Sequence, residues 1–281
     1  MMYVCMIILS HYLNTHSHTA RVTSNIGMVM SSLSFLFASG LAATSNTHIH
    51  RHSARLMMVG GRMSSSANSN SSSSDDKSKR LLLCLHGRYQ SGSIFRNKIA
   101  GARRKLEREY ELHFLDGPIL LNEDSEDENV YAWYNRDENG KHTLIEEAFD
   151  YVIEQTKVEQ YDAIIGFSQG GTLATALAVS GVMPSVRVVC TAGAPCTHEV
   201  LDIANKLSDN SKKNGLDIPK LHLAGETDSM VSVESTKELV ERGGNGQLII
   251  HDQGHLFPTR SARVKEVLDF LAISLKENAV I

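Results

Sequence analysis

Six short apolar runs alternate with helix-patterned stretches between residues 81 and 275, and this alternation narrows the possible folds more than any other feature of the chain. The runs are Leu81–Leu85, Leu112–Leu115, Ala163–Phe167, Val186–Thr191, Leu221–Ala224 and Gln247–His251. Each is too short for a helix and apolar enough for a strand covered on both faces. Between them lie stretches with apolar residues at helical spacing. Over Ser93–Glu109 the stripe is Phe95, Ile99, Ala102 and Leu106. Over Thr143–Lys157 it is Leu144, Ile145, Ala148, Phe149, Val152 and Ile153. Further helices are expected over Gln169–Ser180, Glu199–Leu207, Val233–Arg242 and Ala262–Leu275. Strand and helix in turn predict an α/β domain, a mainly parallel sheet with helices on both faces. Residues 119–142 read as a long polar connection, and 194–218 as a mixed excursion with a polar tip at Ser208–Gly215.

The pattern begins only near residue 80. Residues 1–74 hold no Asp or Glu and four Arg, at 21, 51, 55 and 62; residues 64–74 are eight Ser plus Ala67, Asn68 and Asn70. Such a stretch cannot bury enough apolar area to offset its ordering entropy, so it reads as a flexible linker. Residues 1–80 are therefore expected to be a disordered or targeting segment, and 81–281 the folded domain. An acid-free, Ser-rich, Arg-bearing start is transit-peptide composition, which points to a plastid or mitochondrion; an over-extended gene model with initiation at Met57, Met63 or another internal Met points to the cytoplasm. The apolar patch Ile26–Ala43 is broken by serines and Gly40, so no stable membrane span is expected.

Charge and cysteine usage exclude other classes. Lys plus Arg is 28 against 32 Asp plus Glu, a formal net charge of −4, so there is no large positive field for nucleic acid. Cys5, Cys84, Cys190 and Cys196 form no CxxC pair. No zinc cage is expected, nor a disulfide framework, and a reducing compartment suits them.

The sharpest local signal is Gly166-Phe167-Ser168-Gln169-Gly170, with Gly171 behind it. It ends a strand and opens a helix, the context of a nucleophile elbow. Such a turn forces the serine into a strained backbone conformation and needs small residues two before and two after, which Gly166 and Gly170 supply. A serine hydroxyl needs a base. His255 follows the last strand in Gly254-His255-Leu256-Phe257-Pro258 and is preferred to His251 at the strand end. Asp228, after the fifth strand, is the acid expected to orient it, with Glu226 and Asp252 as rivals. His86-Gly87-Arg88 follows the first strand, so the backbone N–H groups of Arg88 and Gln169 are the expected oxyanion donors, with Gly87 letting the chain turn.

Leu83-Cys84-Leu85-His86-Gly87 with Gln90-Ser91, Asp116-Gly117-Pro118, Trp133-Tyr134, the Gly166–Gly170 elbow, Leu221–Asp228 and Gly254-His255 together resemble the FSH family of serine hydrolases. That family includes an ovarian cancer-associated esterase and thioesterases that release fungal polyketides. The resemblance runs over about residues 80–276. It implies an α/β-hydrolase fold, a Ser168, Asp228, His255 triad, and no metal or organic cofactor. Two departures stand out. Asp252-Gln253 replaces the family's frequent Pro-Gly before Gly-His, and Arg88 replaces a frequent aromatic or aliphatic residue.

The expected activity is hydrolysis of a small-molecule carboxylic ester, or a thioester, through an acyl-enzyme. The alternative is a hydrolase fold kept as a non-catalytic ligand-binding protein. Residues 119–142 and 194–218 are expected to line the acyl pocket. Trp133 and Tyr134 are either its apolar wall or core aromatics.

Overall fold

The computed structural model describes residues 79–122, 127–157, 159–208 and 214–277. The readings made for residues 1–78, for the part of the polar connection at 123–126 and for the tip at 209–213 lie outside them.

The described residues open with β1 (Arg80–Leu85), α1 (Gly92–Lys98), α2 (Ala100–Glu109) and β2 (Tyr110–Leu115). The helical stripe at 93–109 is two helices, not one. Ile99 breaks the run with ψ 19°, yet stays 1% exposed, so Phe95, Ile99, Ala102 and Leu106 still form one buried face. Apolar periodicity passes through such a break without a mark. Ser91 caps α1, its hydroxyl accepting from the Ile94 N–H at 3.0 Å.

The connection that follows is less irregular than its polarity suggested. It carries two small antiparallel ladders, β3 (Ile119–Leu120) with β4 (Tyr131–Ala132), and β5 (Asn135–Arg136) with β6 (His142–Thr143). Then come α3 (Ile145–Thr156), β7 (Ala163–Phe167), α4 (Gln169–Ser180), β8 (Val188–Ala192), α5 (His198–Ser208), a 3₁₀ turn at Gly215–Asp217, β9 (Lys220–Gly225), α6 (Val233–Gly243), β10 (Gly246–His251) and α7 (Ser261–Glu277).

The main sheet has the order β10-β9-β8-β7-β1-β2, and every pairing in it is parallel. Alternate residues of β1 feed two cores. Leu83 and Leu85 join Trp133, Phe149, Leu173 and Leu201 on one face; Leu82 and Cys84 join Phe95, Leu106, Val267 and Leu271 on the other. This is the α/β-hydrolase arrangement, helices covering both faces of a parallel sheet. All twelve residues of α4 are buried, so it packs as a core helix behind the sheet. The chain runs from β1 outward to β2, then crosses back to β7 on the other side. The strand order thus reverses between β1 and β7, where a crevice forms at the carboxyl ends. Among the described residues no helix is long and apolar enough to cross a membrane.

Candidate active site

Ser168 stands at that crevice, between β7 and α4. Its backbone is at φ 51°, ψ −120°, a region that favours glycine. Neighbouring glycines make the turn possible. A Cβ on Gly166 would lie 2.5 Å from the Gly170 carbonyl oxygen, and one on Gly170 2.4 Å from the carbonyl oxygens of Leu85 and His86. The Ser168 N–H donates to the Ala192 carbonyl at 2.9 Å, and its own carbonyl accepts from Gly171 and Thr172 to start α4.

Three loops bring the sequence-derived residues together. His255 Nε2 lies 3.1 Å from Ser168 Oγ, and His255 Nδ1 lies 2.7 Å from Asp228 Oδ2. The Asp228 side chain is fully buried and that of His255 is 20% exposed. The other carboxylate oxygen of Asp228 accepts from the Met230 and Val231 N–H groups at 2.8 and 2.9 Å, which fixes the carboxylate plane. The rivals stand elsewhere. His251 is buried, accepting at Nδ1 from the Gln253 N–H at 3.2 Å. Asp252 pairs with Arg260 at the surface, and Glu226 is exposed.

The spacing of motifs did not reveal Gly193. At φ +56° it follows β8, and a Cβ there would meet His255 Nδ1 at 3.0 Å and Asp228 Oδ2 at 3.5 Å. Only a residue without a side chain lets the loop run this close to the pair. Phe167 covers another side of the imidazole, the ring centroids 4.9 Å apart.

The His86-Gly87-Arg88 loop passes beside the elbow. A Cβ on Gly87 would lie 2.9 Å from the Phe167 ring and 3.2 Å from Ser168 Cβ. Gly87 therefore serves close approach, and the left-handed residue of the loop is Tyr89, at φ 59°. The His86 side chain also escaped the sequence reading. It is fully buried and accepts at Nε2 from the Gly117 N–H at 2.9 Å. Its proton therefore sits on Nδ1, which donates to the Gly87 carbonyl at 2.8 Å. Burial pushes its pKa below the usual histidine range, which keeps the ring neutral. In a trans peptide the N–H points opposite the C=O, so this bond also aims the Arg88 N–H.

Trp133 and Tyr134 take core positions, 0% and 2% exposed. The Trp133 indole N–H donates to the His86 carbonyl at 2.8 Å, and its ring lies against that imidazole at 4.9 Å. Gln169 clasps both backbones, accepting from the Trp133 N–H at 3.0 Å and donating to the Tyr134 carbonyl at 2.7 Å. The Arg88 guanidinium donates to the Tyr134 carbonyl and to Asn135 Oδ1 at 3.1 and 2.9 Å, so this cation is used in holding the hairpin.

The cleft beside His255 has other walls. It holds about 280 Å³ and is lined by Phe95, Ile99, Phe167, Leu256 and Phe257, with Gln90 and Lys98 among its polar groups. Neither Trp133 nor Tyr134 lines it. Phe95 and Ile99 read from sequence only as the stripe of a helix.

The family model for serine hydrolase (FSH1) matches residues 74–267. The chain belongs to the FSH1 serine hydrolase family. Among curated relatives of this FSH1 chain, an uncharacterized hydrolase of Schizosaccharomyces pombe is 27% identical over 227 residues, covering 72% of this chain and 52% of that protein. Dihydrofolate reductase of the same yeast is 29% identical over 217 residues, covering 68% of this chain and 46% of that protein. The chain thus spans about half the length of these two relatives. Esterase OVCA2 of Xenopus tropicalis is 26% identical over 226 residues, covering 69% of this chain and 93% of that protein. Among solved structures, Arabidopsis thaliana SOBER1 superposes with a TM-score of 0.52 at 19% identity, covering 70% of this chain and all of that one. Esterase PE8 gives 0.50 at 21%, covering 70% and 93%. These two likenesses show the fold.

Proposed function

We propose that this FSH1 hydrolase cleaves small carboxylic esters through a covalent acyl-enzyme on Ser168. The observation that carries the reading is the unbroken line from Ser168 Oγ to His255 Nε2 and from His255 Nδ1 to the buried Asp228 carboxylate, at 3.1 and 2.7 Å. Asp228 holds the proton on Nδ1, which leaves the Nε2 lone pair facing the hydroxyl. Ser168 Oγ attacks the acyl carbon as His255 takes its proton. His255 then returns that proton to the leaving alkoxide, and a water activated by the same nitrogen releases the acid. The N–H groups of Arg88 and Gln169 receive the developing oxyanion, and His86 holds the first of them in place.

The cleft supports a small acyl group. Its walls are mainly apolar, and at about 280 Å³ it sits just under the usual range for ligand pockets. A panel of p-nitrophenyl esters should show kcat/KM highest for short chains and falling for long ones. An acyl thioester in the same panel tests whether the machinery also accepts sulfur leaving groups. The nucleophile is tested with a fluorophosphonate probe. Labelling is expected at Ser168 and should vanish in Ser168→Ala. A folded protein that takes no label would point instead to a ligand-binding protein without turnover.

A further inference from the structure

Where the segment after β8 meets α5 and α6, three donor side chains converge. One thiol sulfur of Cys196, one imidazole nitrogen of His198 and one carboxylate oxygen of Glu238 all lie within 4.8 Å of one another. Cys196 and His198 are two residues apart in Cys196-Thr197-His198; Glu238 joins them only through the packing of α6. The absence of a CxxC pair therefore says nothing about this cluster.

We infer that Cys196, His198 and Glu238 form a binding site for a borderline-soft divalent cation of the zinc type, with water as fourth ligand. The donor set selects the metal class. Thiolate with imidazole and carboxylate suits zinc and its neighbours, whereas calcium and magnesium take oxygen. The spacing fits as well. Metal–donor bonds of about 2.0–2.3 Å put tetrahedral donors roughly 3.3–3.7 Å apart. His198 Nε2 and Glu238 Oε1, now hydrogen-bonded at 2.6 Å, need only part by about one ångström to reach that spacing. Both side chains are about half exposed and free to do so.

The backbone around the cluster is already fixed. The Cys196 N–H donates to Ser235 Oγ at 3.0 Å, and Ser235 lies on the same helix as Glu238. Thr236 Oγ1 donates to the Ala194 carbonyl at 3.1 Å, and Thr172 Oγ1 to that of Pro195 at 2.7 Å. Ligands held on a fixed frame lose less entropy on binding. Arg242 Nε stands 3.8 Å from Glu238 Oε1, an ion pair beyond hydrogen-bond distance. On binding, the S–H bond of Cys196 breaks, its proton passes to buffer and the sulfur–metal bond forms, with no change of oxidation state. The site does not enter the hydrolytic reading. It would fasten the Gly193–His198 loop to α6.

The test uses the full chain with its thiols reduced, titrated with Co²⁺ as a spectroscopic stand-in. A thiolate-to-cobalt charge-transfer band should grow to one equivalent and disappear on adding Zn²⁺. It should be lost in Cys196→Ser and kept in Cys5→Ser. His198→Asn and Glu238→Gln, both with side chains about half exposed, should each weaken binding by at least about tenfold, since losing a ligand costs no less than losing an outer-shell partner. The wild-type chain giving no band would overturn the inference. So would a band that persists in Cys196→Ser, or one whose affinity neither the His198 nor the Glu238 variant changes.

Discussion

At the residue scale, Ser168 shows most directly what local geometry costs. Its φ of 51° with ψ −120° is a conformation that a side chain disfavours by on the order of 1–3 kcal/mol, and the surrounding glycines and α4 hold it there. Ser168→Gly removes both the penalty and the proposed nucleophile. It should abolish ester turnover while raising the urea-unfolding free energy by about 1 kcal/mol, after allowance for the greater freedom of glycine in the unfolded chain. An unchanged or lower midpoint would show that the turn is not strained. His86 makes the complementary case. It has no contact with the cleft, yet one of its nitrogens fixes the Gly87 carbonyl and the other the Gly117 N–H. His86→Asn should lower kcat by roughly 10–100-fold with little change in KM, because the loss falls on a donor that matters in the transition state. A change confined to KM would assign His86 to ground-state binding instead.

At the scale of elements, the loop after β8 runs beside Ser168, His255 and Asp228 together. Gly193→Ala would add a methyl 3.0 Å from His255 Nδ1 at a backbone φ that alanine avoids. It should cut kcat/KM at least tenfold while far-ultraviolet circular dichroism stays native, since displacement of the imidazole by a few tenths of an ångström suffices. The elements themselves were unevenly legible in the sequence. β7 and α4 run over the residues expected, Ala163–Phe167 and Gln169–Ser180, because a wholly apolar run ends abruptly in a glycine-rich turn. The ladders within 119–142 were not legible. Two-residue strands have no period to detect, and β4 is held by backbone bonds from Tyr131 to Tyr89 and Gln90, far away in sequence. Motif order also told where Ser168, Asp228 and His255 belong along the chain. It was silent about Gly193, His86 and the Gln169 side chain, whose work depends on what lies across the crevice. Phe95, Ile99 and Phe257 look like ordinary core residues in sequence, since one apolar face serves a core and a cleft equally well.

For the molecule as a whole, acidity acts through buried imidazoles. Burial holds His222 at about 3, against the usual 6.5, and pushes His86 and His251 down as well. Each binds its proton more readily in the unfolded chain. Their stabilising effect is therefore complete above about pH 6.5 and is lost as pH falls below it. For His222 the loss continues toward pH 3. Its share of the slope is about 1.4 kcal/mol per pH unit once the unfolded imidazole is fully protonated. Urea midpoints should decline between pH 6.5 and 5, and less steeply in His222→Gln; equal slopes in the two proteins would refute the assignment. A different molecule-wide consequence lies in the way the Gln169 clasp, the Trp133 indole and the Arg88 guanidinium tie residues 133–135 to the His86–Arg88 loop and the turn at Ser168. Swinging that hairpin aside would sacrifice several of these bonds together, at about 1 kcal/mol each. On the proposed reading, substrate then passes by the side where Phe95 and Phe257 stand, and the range of esters admitted would be governed by the static width of an open doorway rather than by how often a shutter lifts.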